Sequence, residues 1–383
     1  MKLDKNTLNW LQVDLTARCQ ASCLECSRNY KGEELNPKMG KAHTWDLPLE
    51  ILQKAITPEM LKNNLNKILF NGNFGDPCIH PDFIEHAKYI VDNAHEKLQF
   101  RISTNGAMFN NEYWKKLAQI LKPLKYHQII FAIDGLSDTH SIYRRGTKYE
   151  DVIDHAKTFI DNGGNATWQF IVFDHNKHQR EEAREISKTM GFTEIIFRGD
   201  EVHDEDNAKG ESSASARLYT RSIDDDLTIT GNKTKKHKEV SVSKKQSAKG
   251  LNIVNKQLEE VKKSYETTQN FLDYGKISCQ YYNTKGLYIE YDGTVWMCCW
   301  TGDMHKKYNP IEPRSLTTKN WEHIENKFGK DFNNLYNHSF DDILNHEFFA
   351  SYLDKTFNST RKDPNTPRLE TCAKTCVWGK KFV

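Results

Sequence analysis

The chain has 383 residues, and its 54 basic and 52 acidic side chains leave a formal net charge of +2. That balance excludes a global pull toward nucleic acid or an anionic surface, and no apolar run approaches the ~20 residues of a membrane span. The length leaves room for a barrel of about 200–250 residues and a second, smaller unit. Nine cysteines without a basic-then-apolar leader are expected as ligands in a reducing, cytoplasmic setting.

Over the first two hundred residues, apolar and β-branched runs alternate with segments of helical period. Strands are predicted at residues 10–15, 67–70, 99–103, 128–133, 167–173 and 194–197. Helices are predicted at residues 48–56, 81–93, 111–121, 149–162 and 177–190, with Gly163, Gly164 and Gly191 as stop signals. This alternation predicts a parallel sheet with right-handed crossovers, an α/β fold whose functional loops gather at the carboxyl ends of the strands.

The loop after the first predicted strand holds Cys19, Cys23 and Cys26 in the spacing C-x3-C-x2-C. Soft thiolates in this spacing suit three irons of a cubic [4Fe–4S] cluster, with the fourth iron left open. Zinc is the competing reading, but structural zinc takes four ligands in paired units, and no fourth ligand follows here. A disulfide framework requires secretion, for which the amino terminus shows no leader. Spacing and context resemble the radical S-adenosylmethionine (radical SAM) superfamily, whose open iron chelates the amino and carboxylate groups of SAM. The resemblance implies one-electron cleavage of SAM to methionine and a 5′-deoxyadenosyl radical.

Later loops extend the resemblance. After the second strand, NGNFGDP from Asn71 to Pro77 resembles the family's Gly-Gly-Glu-Pro loop, with Asp76 in place of the glutamate. Gly75 permits close backbone approach, and the Asp76 carboxylate and the carbonyls before Pro77 suit the SAM ammonium. After the third strand, Ser103, Thr104, Asn105 and Gly106 are similar to the family's ribose-facing Thr-Asn-Gly segment. The fourth strand runs into Asp134-Gly135, then His140 and Arg144-Arg145-Gly146, resembling the pattern of the subgroup with extra clusters; Arg144 is then expected to face the SAM carboxylate. Taken singly, each is a common turn or loop signal. Their order after successive strands is what favours the functional reading. One departure is Glu25, where the family carries an aromatic residue before the third cysteine. Cys78, beside the Asp76 loop, is expected to pack as a small hydrophobe.

Residues 204–247 are poor in large apolar side chains and rich in Asp, Ser, Thr and Lys, which predicts a flexible insert or linker. Its lysine block around Lys235 lacks interleaved aromatics, so a solvated linker is preferred over nucleic-acid docking. A helix is predicted over 250–274. Next comes Cys279-x13-Gly293-x4-Cys298, which encloses a predicted β-hairpin turning at Asp292-Gly293, and later Cys372-x3-Cys376. This arrangement resembles the twitch and SPASM extensions of radical SAM enzymes. Five cysteines here, where a full SPASM domain needs seven, imply the twitch type with one auxiliary [4Fe–4S] cluster on Cys279, Cys298, Cys372 and Cys376. Cys299 is spare and able to replace Cys298, and structural zinc on the same sulfurs is the competing reading.

The expected organisation is a partial (βα)6 TIM-like barrel over 1–200, the insert over 201–250 and a small cysteine-rich α+β twitch-like unit over 251–383. The resemblance implies two [4Fe–4S] clusters, SAM, and an electron donor such as flavodoxin or ferredoxin. A closed auxiliary cluster suits an electron acceptor, so oxidative modification of a peptide or protein is preferred over dehydrogenation of a carbohydrate or aminocyclitol. The family's GTP cyclase of molybdenum cofactor synthesis ends in Gly-Gly, which is absent here. An iron–sulfur scaffold with nucleic-acid contact is the reading from another class, and the retained SAM-facing loops argue against it. No acid or base residue is identified.

Overall fold

The computed structural model describes residues 3–24, 26, 29–30, 33–34, 45–199, 268–302 and 316–377. All six predicted barrel strands form: β1 Trp10–Asp14, β2 Lys67–Asn71, β3 Gln99–Thr104, β4 Tyr126–Ala132, β5 Ala166–Ile171 and β6 Glu194–Arg198. They pair in parallel in chain order, with a helical crossover between each pair, giving the expected partial barrel. Period-2 patterning gives the sheet two faces. Leu11, Val13, Ile68, Phe70, Phe100, Ile102, Ile129 and Phe131 are buried in the apolar core. The alternate positions Gln12, Leu69, Arg101 and Gln128 stand in register across the opposite, concave face.

The helices follow their apolar period. In Asn111–Leu121 the buried residues are Trp114, Leu117, Ala118 and Leu121, one stripe facing the sheet, and the Asn110 side chain accepts the Tyr113 N–H as a cap. The predicted 177–190 segment divides into a 3-10 turn, Lys177–Gln179, and a helix, Arg180–Met190, closed by Gly191. A short helix, Pro58–Asn63, was not predicted. Its signals are present, a Thr57 cap and Pro58 at the first position, but six residues are too few for a period to show. Of the predicted 250–274 helix, Thr268–Tyr274 is helical and the remainder lies outside the described residues. So does the insert at 204–247.

The carboxyl-terminal hairpin forms as predicted, from β7 Gly286–Ile289 and β8 Val295–Trp296, with Gly293 at φ 81° in the turn. Its placement has no signal in the sequence. β7 pairs in parallel with β1, Gln12 opposite Tyr288, so the sheet runs β8-β7-β1-β2-β3-β4-β5-β6. The second cysteine region therefore continues the barrel sheet and shares its apolar core, in which Leu287 and Ile289 are fully buried. Around it pack the helices Leu316–Phe328, Phe340–Asn345, Leu353–Phe357 and Glu370–Thr375. Among the described residues, no helix is long and apolar enough to cross a membrane.

Candidate active site and cysteine centres

β1 delivers the loop of Cys19, Cys23 and Cys26 to the carboxyl end of the sheet, and two other strand-end loops brace it. Gly75 approaches so closely that a Cβ there would lie 2.1 Å from the Thr16 carbonyl oxygen, and the Asp76 N–H donates to Arg18 O at 2.8 Å. From the other side, Ser22 N–H donates to Arg145 O at 2.9 Å, and Gly146, at φ 82°, leaves a Cβ only 2.9 Å from Gln20 O. Cys19, Cys23 and Cys26 sit in one small apolar cluster with Ala21, Leu24, Tyr143, Ile171 and Phe173.

The expected SAM-facing residues fall around this loop in two networks. In the first, the buried Asp76 carboxylate accepts the Thr104 hydroxyl at 2.9 Å, the Asn105 N–H at 2.6 Å and the Cys78 N–H at 3.1 Å. Burial pushes this carboxyl above its ordinary value, and those three donors oppose the shift. Asp76 thus ties its own loop to the Thr104–Asn105 loop, while Pro77 begins the 3-10 turn Pro77–Ile79. Ser103 lies half-buried on the concave face, in register with Ile130. Cys78 is buried in the core.

In the second network, Arg144 Nε donates to the fully buried Asp134 at 2.6 Å, and its Nη1 lies 3.8 Å from Cys23 Sγ. Asp134 also accepts the Ile171 N–H at 2.6 Å. Burial raises its pKa, and the guanidinium and that N–H oppose the rise. His140 holds the turn between them. Its Nδ1 accepts the Asp134 N–H at 3.3 Å and its Nε2 donates to Thr147 Oγ1 at 2.9 Å, a neutral tautomer that agrees with a pKa lowered by burial to about 3. Sequence reasoning missed Gln20, whose amide pairs with Asn105, and Asn176, whose Nδ2 donates to Asp134 O and Ile171 O. Neither has a signal beyond its position in a strand-end loop.

The four carboxyl-terminal cysteines converge from separate segments. Cys279 begins the turn Gln280–Asn283, Cys298 precedes the turn Cys299–Gly302, and Cys372 lies on Glu370–Thr375 with Cys376 at its end. The thiols of Cys279 and Cys376 are hydrogen-bonded, which with burial raises the Cys279 pKa far above its ordinary value. Burial, then Cys279, pushes Cys298 up to about 12; burial, then Cys298 and Cys279, raises Cys372. Cys299 is more exposed and faces Tyr281, whose hydroxyl donates to Gln12 Oε1 on the concave face.

Residues 13–188 match the family model described as the radical SAM superfamily, and residues 279–377 match that of an iron–sulfur cluster-binding domain, SPASM. The chain thus carries a radical SAM domain followed by a SPASM domain. The radical SAM protein is 26% identical over 140 residues to a tungsten-containing aldehyde ferredoxin oxidoreductase cofactor-modifying protein of Pyrococcus furiosus. That match covers 36% of this chain and 34% of the relative, about a third of the relative's length. The structure of Streptococcus suis SuiB bound to precursor peptide SuiA is similar at a TM-score of 0.50 and 12% identity, covering 96% of this chain and 71% of that one. Native anSMEcpe with bound AdoMet is similar at 0.47 and 15%, covering 96% and 88%. The SuiB likeness shows a shared fold.

These domains imply a SAM-binding [4Fe–4S] cluster, SAM, and iron–sulfur binding in the SPASM region. Among the described residues no group of three or more His, Cys, Asp or Glu is set to hold a single metal ion, and it is a larger cluster that the donor chemistry of the two cysteine sets suits. Around the first loop, Asn105 and Arg144 point N–H groups at two of the three sulfurs, an environment that stabilises thiolate. In the second set, buried sulfurs raise one another's pKa, which disfavours thiolates until a bound cation reverses the balance.

Proposed function

We propose that this protein is a radical SAM enzyme that oxidatively modifies a peptide or protein. The observation that carries it is the braced loop of Cys19, Cys23 and Cys26 standing over the half-buried, polar concave face of the barrel. We assign Cys19, Cys23 and Cys26 to the SAM-binding cluster and Cys279, Cys298, Cys372 and Cys376 to a single auxiliary cluster. When bound, these groups supply the electron that cleaves SAM and an acceptor for the electron the substrate gives up.

The chain's own residues bind and orient. Arg144, fixed by Asp134, presents its guanidinium at the Cys23 edge of the loop, where the SAM carboxylate is expected. The loop of Gly75, Asp76 and Pro77 carries the carbonyls for the SAM ammonium, held against the Thr104–Asn105 loop by the Asp76 hydrogen bonds. Tyr143 and Phe173, 4.7 Å apart between ring centroids, form an apolar wall beside the cysteines that excludes water from the radical's path. Net oxidation removes two hydrogens from the substrate, the first as an atom and the second as a proton and an electron.

A peptide substrate is supported by the SuiB structure, which is bound to a precursor peptide. Modification of a small cofactor is the second reading, supported by the Pyrococcus furiosus relative. The test is anaerobic incubation of the reconstituted protein with SAM and dithionite, alone and with peptides encoded beside its gene. We expect 5′-deoxyadenosine and methionine in both, and a peptide lighter by two hydrogens in the second. A full complement of iron without 5′-deoxyadenosine would overturn the enzyme reading. Product from a sugar or a cofactor but from no peptide would replace the substrate class.

A further inference from the structure

The Asn105 side chain is almost fully buried, 6% exposed, and every polar atom on it is committed. Its Oδ1 accepts the Ala107 N–H at 3.0 Å and Gln20 Nε2 at 2.7 Å. A backbone N–H can only meet an oxygen, so the Ala107 contact fixes which end of the amide is which. Nδ2 is thereby turned toward the cysteine loop, where it lies 3.5 Å from Cys19 Sγ and 3.3 Å from Gln20 Oε1. Gln20 and Asn105 form a reciprocal amide pair, and the backbone of Asn105 is pinned by its N–H to Asp76 at 2.6 Å. The donor is held by four hydrogen bonds that do not involve the sulfur.

We propose that Asn105, locked by Gln20, is a positioning residue for the SAM-binding cluster itself, donating a hydrogen bond to the Cys19 thiolate and raising the reduction potential of that cluster. This goes beyond the ribose-facing part that its Thr-Asn-Gly segment suggests, and it rests on the assignment of Cys19 as a cluster ligand. The physical reason is charge. Reduction adds an electron delocalised onto the ligand sulfurs, and an N–H pointed at a sulfur stabilises the more negative state more than the oxidised one. Burial of the Asn105 amide strengthens the effect, because little water competes for the donor. A cluster easier to reduce is easier to charge for cleavage of SAM.

The experiment is an EPR-monitored redox titration of the reconstituted full-length chain, without SAM, on wild type, Asn105→Ala, Asn105→Asp and Gln20→Leu. The SAM-binding cluster is identified by the signal that changes when SAM is then added, and the other cluster is the internal control. Asn105→Ala is expected to raise the oxidised-to-reduced ratio at a fixed potential about tenfold, equivalent to ~59 mV for a one-electron couple. Asn105→Asp should go further, since it removes the donor and adds a negative charge. Gln20→Leu releases the brace but also removes the Gln20 Oε1 that lies 3.9 Å from Cys19 Sγ, a smaller opposing change, so it should move the ratio the same way by only about threefold. An unchanged midpoint in Asn105→Ala with full iron content overturns the proposal, as does an equal shift of both clusters. If Asn105→Ala does not hold the cluster, Gln20→Leu decides, and an unchanged midpoint there overturns it. A wild type with no SAM-responsive signal would remove the cluster assignment and this inference with it.

Discussion

Cys19, Cys23 and Cys26 come from one short loop at a strand end, two of them partly exposed, whereas Cys279, Cys298, Cys372 and Cys376 come from three distant segments and three of them are buried. The first set needs only β1 and two bracing loops to stand ready. The second set exists only after the hairpin has paired with β1 and the helix Glu370–Thr375 has closed over it. Partial exposure permits a ligand at one centre, and burial suits the other to holding a group permanently. The difference also separates chemistry from folding: damage to the loop should cost activity, and damage to the enclosed set should cost stability as well.

The largest effect is expected at the loop. Replacing Cys19, Cys23 and Cys26 together with Ala should abolish SAM cleavage while about four irons stay on the carboxyl-terminal centre, measured by iron analysis and 5′-deoxyadenosine assay. Retained 5′-deoxyadenosine in that variant would sink the assignment. At the enclosed set, wild type should hold about eight irons, and Cys372→Ala with Cys376→Ala should remove about half of them. That variant is expected to keep making 5′-deoxyadenosine but to lose most oxidised product. Four irons with one zinc in the wild type would show a structural zinc site, and normal product formation by a folded variant would show that the centre is structural.

The seam between the two regions can be broken without touching a cysteine. Leu287 is fully buried on β7, in register with Leu11 of β1. Leu287→Ala should cost about 2–5 kcal/mol by leaving a cavity in the shared core. Anaerobic denaturation should show the amino-terminal half losing stability along with the hairpin. An intact barrel above a melted hairpin would mean that the two regions fold independently.

The smallest effect is set by pH. Burial lowers His140 to about 3 and His80 to about 4, from an ordinary 6.5. Both rings stay neutral in the folded chain while the unfolded chain takes up protons below 6.5. Their contribution is complete above that pH and is lost as pH falls toward 4 and then 3. Between pH 7.5 and 5.5 the loss should be about 1 kcal/mol per ring. His140→Gln should flatten its share of the slope, and a wild type equally stable at both pH values would show that the rings are not held neutral.

The barrel was legible because its strands are apolar on alternate positions and its helices carry a regular stripe, as at Trp114, Leu117, Ala118 and Leu121. Site residues at strand ends were legible as residue types, but their partners were not. Asp76 was expected at the SAM ammonium, and in the structure its oxygens receive Thr104, Asn105 and Cys78. Gln20 carried no signal, since one amide in a loop looks like any other until its partner is placed 2.7 Å away.

By itself the sequence determined the cysteine spacings, the six strands with the helices between them and the hairpin with its Asp292-Gly293 turn, because each is a matter of neighbours along the chain. Tertiary structure decided what lies between distant segments. It set β7 beside β1, gathered Cys279, Cys298, Cys372 and Cys376, turned Cys299 toward Tyr281, and aimed Asn105 at Cys19. Local pattern reports which face of a strand is apolar, but it does not report which strand will cover an edge. That choice depends on the burial of Leu287 and Ile289 against the whole core, a sum over contacts far apart in sequence.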